Sequence, residues 1–115
     1  MDESESTFNV VSEIGAADCV IKLQGDIDLD SLPRLRGALR HAIEGHPDRL
    51  IVDLTDVGTV EVTGLAVLAG ARYRAGDRGT SLLLQAPNAS TVDLIAATGL
   101  DGALPVVPEP GASAE

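Results

Sequence analysis

The chain has 115 residues, enough for one domain with a modest core, and 44% of them are hydrophobic. With one Phe, one Tyr and no Trp, that core has to be built from Val, Leu, Ile and Ala. Eighteen acidic residues against eight basic ones give a net charge of -10, which argues against holding nucleic acid through its phosphates.

The opening "MDESEST" has neither the basic nor the apolar region of a signal peptide. No apolar run approaches the ~18–20 residues of a membrane span, so the expected location is the cytoplasm, without membrane insertion. Residues 1–7 read as a disordered acidic tail, 8–107 as one domain, and 108–115, with their Pro, Gly and Ser, as a second disordered tail. "TFNVVSEI" reads as a strand, "GAAD" as a turn and "CVIKLQG" as a second strand, together a hairpin. Cys19 lies in that second run; alone, it cannot form an internal disulfide and reads as a buried thiol.

"DIDLDSLPRLRGALRHAIEG" holds a helix with Asp30 or Ser31 as its cap and Pro33 in its first turn. Its residues Leu32, Leu35, Leu39, Ala42 and Ile43 recur at the spacing of one buried helical face. "RLIVDL" is apolar on consecutive positions, as a central strand is. After "TDVGTVEVT", the segment "GLAVLAGARYRA" reads as a second helix with Thr63 as its N-cap. "SLLLQA" is a further strand, "PNASTVDLIAATG" a third helix capped by Asn88 or Ser90, and "LPVVP" a short last strand. The order predicts an α/β fold: a mostly parallel sheet of four to five strands with an N-terminal hairpin, packed with three to four helices.

The enzyme classes that such a chain can host fail one by one. Counted from Asp26, an EF-hand would need Gly at the sixth position and Glu at the twelfth, where Ser31 and Gly37 stand. Asp53, near the end of a central strand, has neither the acidic pair nor the late Lys of a phospho-acceptor site; the only lysine is Lys22, within a strand. His41 and His46 flank the end of the first helix, far in chain topology from Thr63 and from Cys19, so no base is set beside a nucleophile. Glycine-rich phosphate loops are absent. The expectation is a non-enzymatic chain with no cofactor and no metal.

Three stretches, in order, resemble a known family, the STAS domain of bacterial anti-sigma factor antagonists, over about residues 8–107. Gly25, Asp26, Ile27 and Asp28 are similar to its Gly-Glu-hydrophobic-Asp pattern; "RLIVDLTDVGTVEVTGLAVL" resembles its signature strand and Asp-Ser-Ser/Thr-Gly-Leu turn; "ATGLDGALPV" is similar to its closing helix and strand. The resemblance implies a regulatory module that binds an anti-sigma factor serine kinase of the histidine-kinase-like ATPase fold, or another signalling protein. In the family that kinase phosphorylates the serine after the turn's Asp and so breaks the contact. Here the Asp position is Glu61, the acceptor position is Val62, and Thr63, Gly64 and Leu65 follow. Valine has no hydroxyl, which leaves three readings: an antagonist that is not switched, phosphorylation at Thr63 instead, or a scaffold role in a signalling or transport complex. The expected partner surface is Asp26, Asp28, Glu61, Val62, Thr63, Gly64 and Leu65.

Overall fold

The computed structural model describes residues 8–107; the tails expected at 1–7 and 108–115 lie outside the described residues. Strand β1 (Asn9–Ile14) turns at Gly15, whose N–H donates to the Asp18 carbonyl at 2.8 Å, and pairs antiparallel with β2 (Asp18–Ile27). A 3-10 turn (Leu29–Ser31) then leads into α1 (Leu32–Glu44). Next come β3 (Arg49–Val60), α2 (Val62–Asp77), β4 (Ser81–Gln85), α3 (Ala89–Ala97) and β5 (Val106–Val107). Among the described residues the result is a single α/β domain with five strands, three α-helices and an N-terminal hairpin, and every strand pair after that hairpin is parallel.

The spatial strand order β1-β2-β3-β4-β5 equals the chain order. Successive crossovers of one hand then place their helices on the same side of the sheet. The alternation of burial agrees. Cys19, Ile21 and Leu23, Leu50, Val52 and Leu54, and Leu82 and Leu84 are buried, whereas their neighbours Val20, Lys22, Ile51, Asp53, Leu83 and Gln85 are half-buried or exposed. Against the buried face α1 sets Leu32, Leu35, Leu39 and Ile43, with Ala42 half-buried beside them, and α2 sets Leu65, Leu68, Ala71 and Ala75. The core is aliphatic, with Phe8 at its margin under the Arg34 guanidinium, 5.6 Å from the ring centroid.

At the start of β2 and β3, Arg49 donates to both carboxylate oxygens of Asp18, at 2.6 and 3.2 Å. That bidentate bond holds the Asp18 carboxyl below its ordinary range. A depressed folded-state value means that the pair's contribution is present above the unfolded Asp value and is lost as pH falls through the folded one. Arg49→Met should return Asp18 to ordinary titration in a carboxyl-resolved NMR experiment. An unchanged Asp18 curve would show that the guanidinium is not the cause.

Candidate functional site

The turn between β3 and α2 gathers most of the residues singled out from the sequence. Strand β3 is longer than "RLIVDL": it continues to Val60 because residues 56–60 keep pairing with the end of β2, through Gln24 with Asp56, Gly25 with Val57 and Ile27 with Val60. Two register shifts interrupt that ladder, and Gly25, at φ 95, supplies the left-handed backbone that one of them uses. Within the extension Val57 and Val60 are buried while Gly58 and Thr59 face solvent.

Neighbours on both sides pin this extension. From β2, an Asp26 carboxylate oxygen accepts the Thr59 N–H at 3.0 Å, and a Cβ on Gly58 would lie 2.8 Å from that oxygen. The Glu61 N–H donates to the Ile27 carbonyl at 2.9 Å. From α3, the Asn88 amide donates to the carbonyls of Val57 and Gly58 at 3.2 and 2.8 Å, while its oxygen caps α3 by accepting the Thr91 N–H at 2.8 Å. Asn88 was legible as a cap; its grip on β3 was not, because only the fold brings the two together.

Glu61, not Thr63, is the N-cap of α2. Its N–H is held by Ile27, so it stays extended (φ -82, ψ 158), and its carbonyl accepts from Gly64 and Leu65 at 2.9 and 3.2 Å. The helix therefore begins at Val62, two residues before the expected start. The Thr63 hydroxyl is exposed and makes no hydrogen bond among the described residues. A carboxylate at Glu61 suits the positive end of the helix without a direct cap bond.

At α1 the N-cap residue is Ser31, one of the two expected, although its side chain makes no cap bond there. The capping carboxylate nearby is that of Asp28, and it serves the preceding 3-10 turn. It accepts the Ser31 N–H at 3.1 Å while the Ser31 hydroxyl oxygen accepts the Asp28 N–H at 2.9 Å, a reciprocal box around the 3-10 turn.

Of the seven residues expected to face a partner, five reach the surface and two do not. Val62 is 50% exposed; Asp26, Glu61 and Thr63 are exposed, and Asp28 is half-buried. Gly64 and Leu65 are buried. Leu65 is 0% exposed, and a Cβ at Gly64 would lie 2.4 Å from the Ile27 Cγ2, so both pack into the turn. The sequence reading missed Leu29, 64% exposed, which lines an open groove between the 3-10 turn, α1 and α2 together with Thr63. A bare leucine between Asp28 and Asp30 was the available signal.

The residues first weighed for catalysis lie at the other end. Contrary to the topological expectation, His41, His46 and Cys19 line one cavity of about 320 Å³ between the β1–β2 turn and the end of α1. Proximity does not make a nucleophile here: Cys19 is buried, and burial pushes its thiol pKa up, away from the thiolate. Among the described residues no group of His, Cys, Asp and Glu could hold a metal ion, and no helix is long and apolar enough to cross a membrane.

The family model described as "Mlab, STAS domain" matches residues 11–108. No curated protein is significantly similar in sequence. Among solved structures, an anti-sigma factor antagonist from Mycobacterium paratuberculosis is 25% identical, with a TM-score of 0.82 over 92% of this chain and 90% of its own. The Bacillus cell fate determinant SpoIIAA in its phosphorylated form is 18% identical, with a TM-score of 0.68 over 92% and 96%. A sulfate transporter family protein from Wolinella succinogenes is 22% identical, with a TM-score of 0.73 over 86% and 83%.

Proposed function

The chain belongs to the STAS domain family, and on that premise we propose that it is a non-catalytic regulatory module that binds a protein partner at the β3–α2 turn. The partner class is an anti-sigma factor serine kinase of the histidine-kinase-like ATPase fold, and the setting is the cytoplasm. The observation that carries this reading is the turn itself. Asp26, Ile27 and Asn88 hold it in one geometry, and it presents Val62 and Thr63 beside Glu61 and Asp26. A small apolar anchor within a charged rim, set on a rigid support, is the anatomy of a protein contact. With Val62 at the acceptor position, the contact is not switched by phosphorylation there.

A second reading draws on the same valine: a turn with no acceptor stays in one state, as suits a scaffold subunit of a signalling or transport complex. The readings part on the identity of what binds. Capture from the native cell on the immobilised full chain should retain an ATP-binding serine kinase under the first, and a transport or scaffold subunit under the second. Val62→Asp should release whichever is held by the turn. Asp at the first position of a helix is favoured by the dipole, so an unchanged melting temperature with a lost partner reads as lost contact. A partner retained in full by Val62→Asp would place the interface elsewhere.

A further inference from the structure

The chain is acidic overall, yet its first two helices are not. Helices α1 and α2 carry Arg34, Arg36, Arg40, Arg72 and Arg74, and their only carboxylates, Glu44 and Asp77, are the last residue of each. Arg36 from α1 and Arg74 from α2 both line the open groove of about 480 Å³ that begins at Thr63. Its other lining residues are Leu29, Leu32, Ala66, Val67 and Gly70. Gly70 leaves room for a guanidinium to lie across the helix: a Cβ there would sit 3.4 Å from an Nη atom of Arg74.

Neither arginine has an ion pair among the described residues. In a chain with eighteen acidic residues, two guanidiniums left without carboxylates on either side of an apolar floor form an incomplete set of charges. We infer that this groove receives an acidic amphipathic helix of the partner protein. The partner's aliphatic side chains would rest on Leu29, Leu32, Ala66 and Val67, and its carboxylates would meet Arg36 and Arg74. The guanidinium fork matches a carboxylate bidentately, and a groove between two helices fits a third helix laid along it. A polyanionic surface is the poorer occupant, because the net charge of -10 repels an extended array of phosphates, whereas a single helix meets only the groove. This inference rests on the reading of the β3–α2 turn as a partner surface and names the chemistry of what lies beside it.

The test is titration of the isotopically labelled full chain, followed by amide NMR shifts, with two helical peptides about four turns long. They share leucines at one-turn spacing and differ only in whether Glu or Lys flanks them. The Glu peptide should shift residues 29–36 and 63–74, and the Lys peptide should not. Arg36→Glu with Arg74→Glu should weaken binding about tenfold, from two lost and reversed rim pairs. Arg40→Glu with Arg78→Glu, which change the net charge equally outside the groove, should leave it within about twofold. Equal binding of the Lys peptide, shifts confined to other surfaces, or equal loss in both variant pairs would overturn the inference. So would binding to phosphatidylserine vesicles that depends on Arg36 and Arg74, which would assign the groove to lipid. With the native partner, release by Val62→Asp but not by Arg36→Glu with Arg74→Glu sinks this inference alone; retention by both sinks the turn as well.

Discussion

Gly64→Ala is expected to lower the unfolding free energy by about 2 kcal/mol, although the same exchange in most helices stabilises. Two effects compete. Alanine gains up to ~1 kcal/mol of helix propensity over glycine. Against this, the new Cβ would stand 2.4 Å from the Ile27 Cγ2, far closer than packing allows, with a Val60 methyl in ordinary contact at 3.5 Å. Ile27 is 0% exposed and is held on β2, and β-branched side chains have little freedom at χ1. Overpacking of this kind costs about 1–3 kcal/mol and, at so short an approach, falls at the upper end. The clash therefore wins. For a chain of this size the net loss corresponds to a melting temperature lower by about 8 °C. Ile27→Leu removes the methyl at fault, so alanine at position 64 should cost at least ~1 kcal/mol less in that background, a coupling readable from a double-mutant cycle. Equal costs in both backgrounds would mean that Gly64 is needed for something other than its closeness to Ile27.

The same pair shows what a sequence alone could and could not reveal here. The hairpin, the buried face of α1 and the central place of β3 were legible, because each is written in residues adjacent in the chain or one helical turn apart. The extension of β3 to Val60 was not. Thr55, Asp56, Gly58 and Thr59 have the composition of a loop, and only the ladder to Gln24, Gly25 and Ile27 keeps them extended. The misplaced start of α2 has the same origin. A threonine before glycine is a sound cap by composition, but the bond from the Glu61 N–H to the Ile27 carbonyl fixes the bend two residues earlier. Gly64 and Leu65 lie near the acceptor position in the chain, and that nearness does not reveal that both are buried. Val62 is the first residue of α2 and stays half-exposed, whereas Leu65, three residues further on, is 0% exposed in the core. The arginines of the groove stand on two helices, and no spacing along the chain announces that pairing.

Val62→Ser is expected to change the chain from one that takes no phosphate to one that takes a single phosphate, when incubated with ATP and the serine kinase that it captures. The backbone needed is already present: residue 62 opens α2, is half-exposed, and follows a cap held by Ile27, so a serine hydroxyl would be offered at a fixed place on the surface. The resulting phosphoserine, with a charge of about -1.5 to -2, would be tolerated by the folded chain because the free N–H groups and dipole of α2 favour an anion. The partner would not tolerate it. The phosphate would stand beside the carboxylates of Glu61 and Asp26 at the centre of the contact, adding like charge and a large desolvation cost where Val62 offered an apolar surface. Unphosphorylated Val62→Ser should therefore hold the partner nearly as well as the valine chain, and the phosphorylated form should lose it. Thr63 is the internal control. Its hydroxyl is exposed and unbonded, so chemistry alone does not protect it. It points about 100° further round the helix, away from where a kinase aligned on position 62 would deliver its phosphate. Intact mass and peptide mapping decide the matter. A phosphate on Thr63 of the unaltered chain would show that the switch has moved rather than vanished, and a Val62→Ser chain that stays unmodified by a kinase it binds would remove position 62 from the acceptor role.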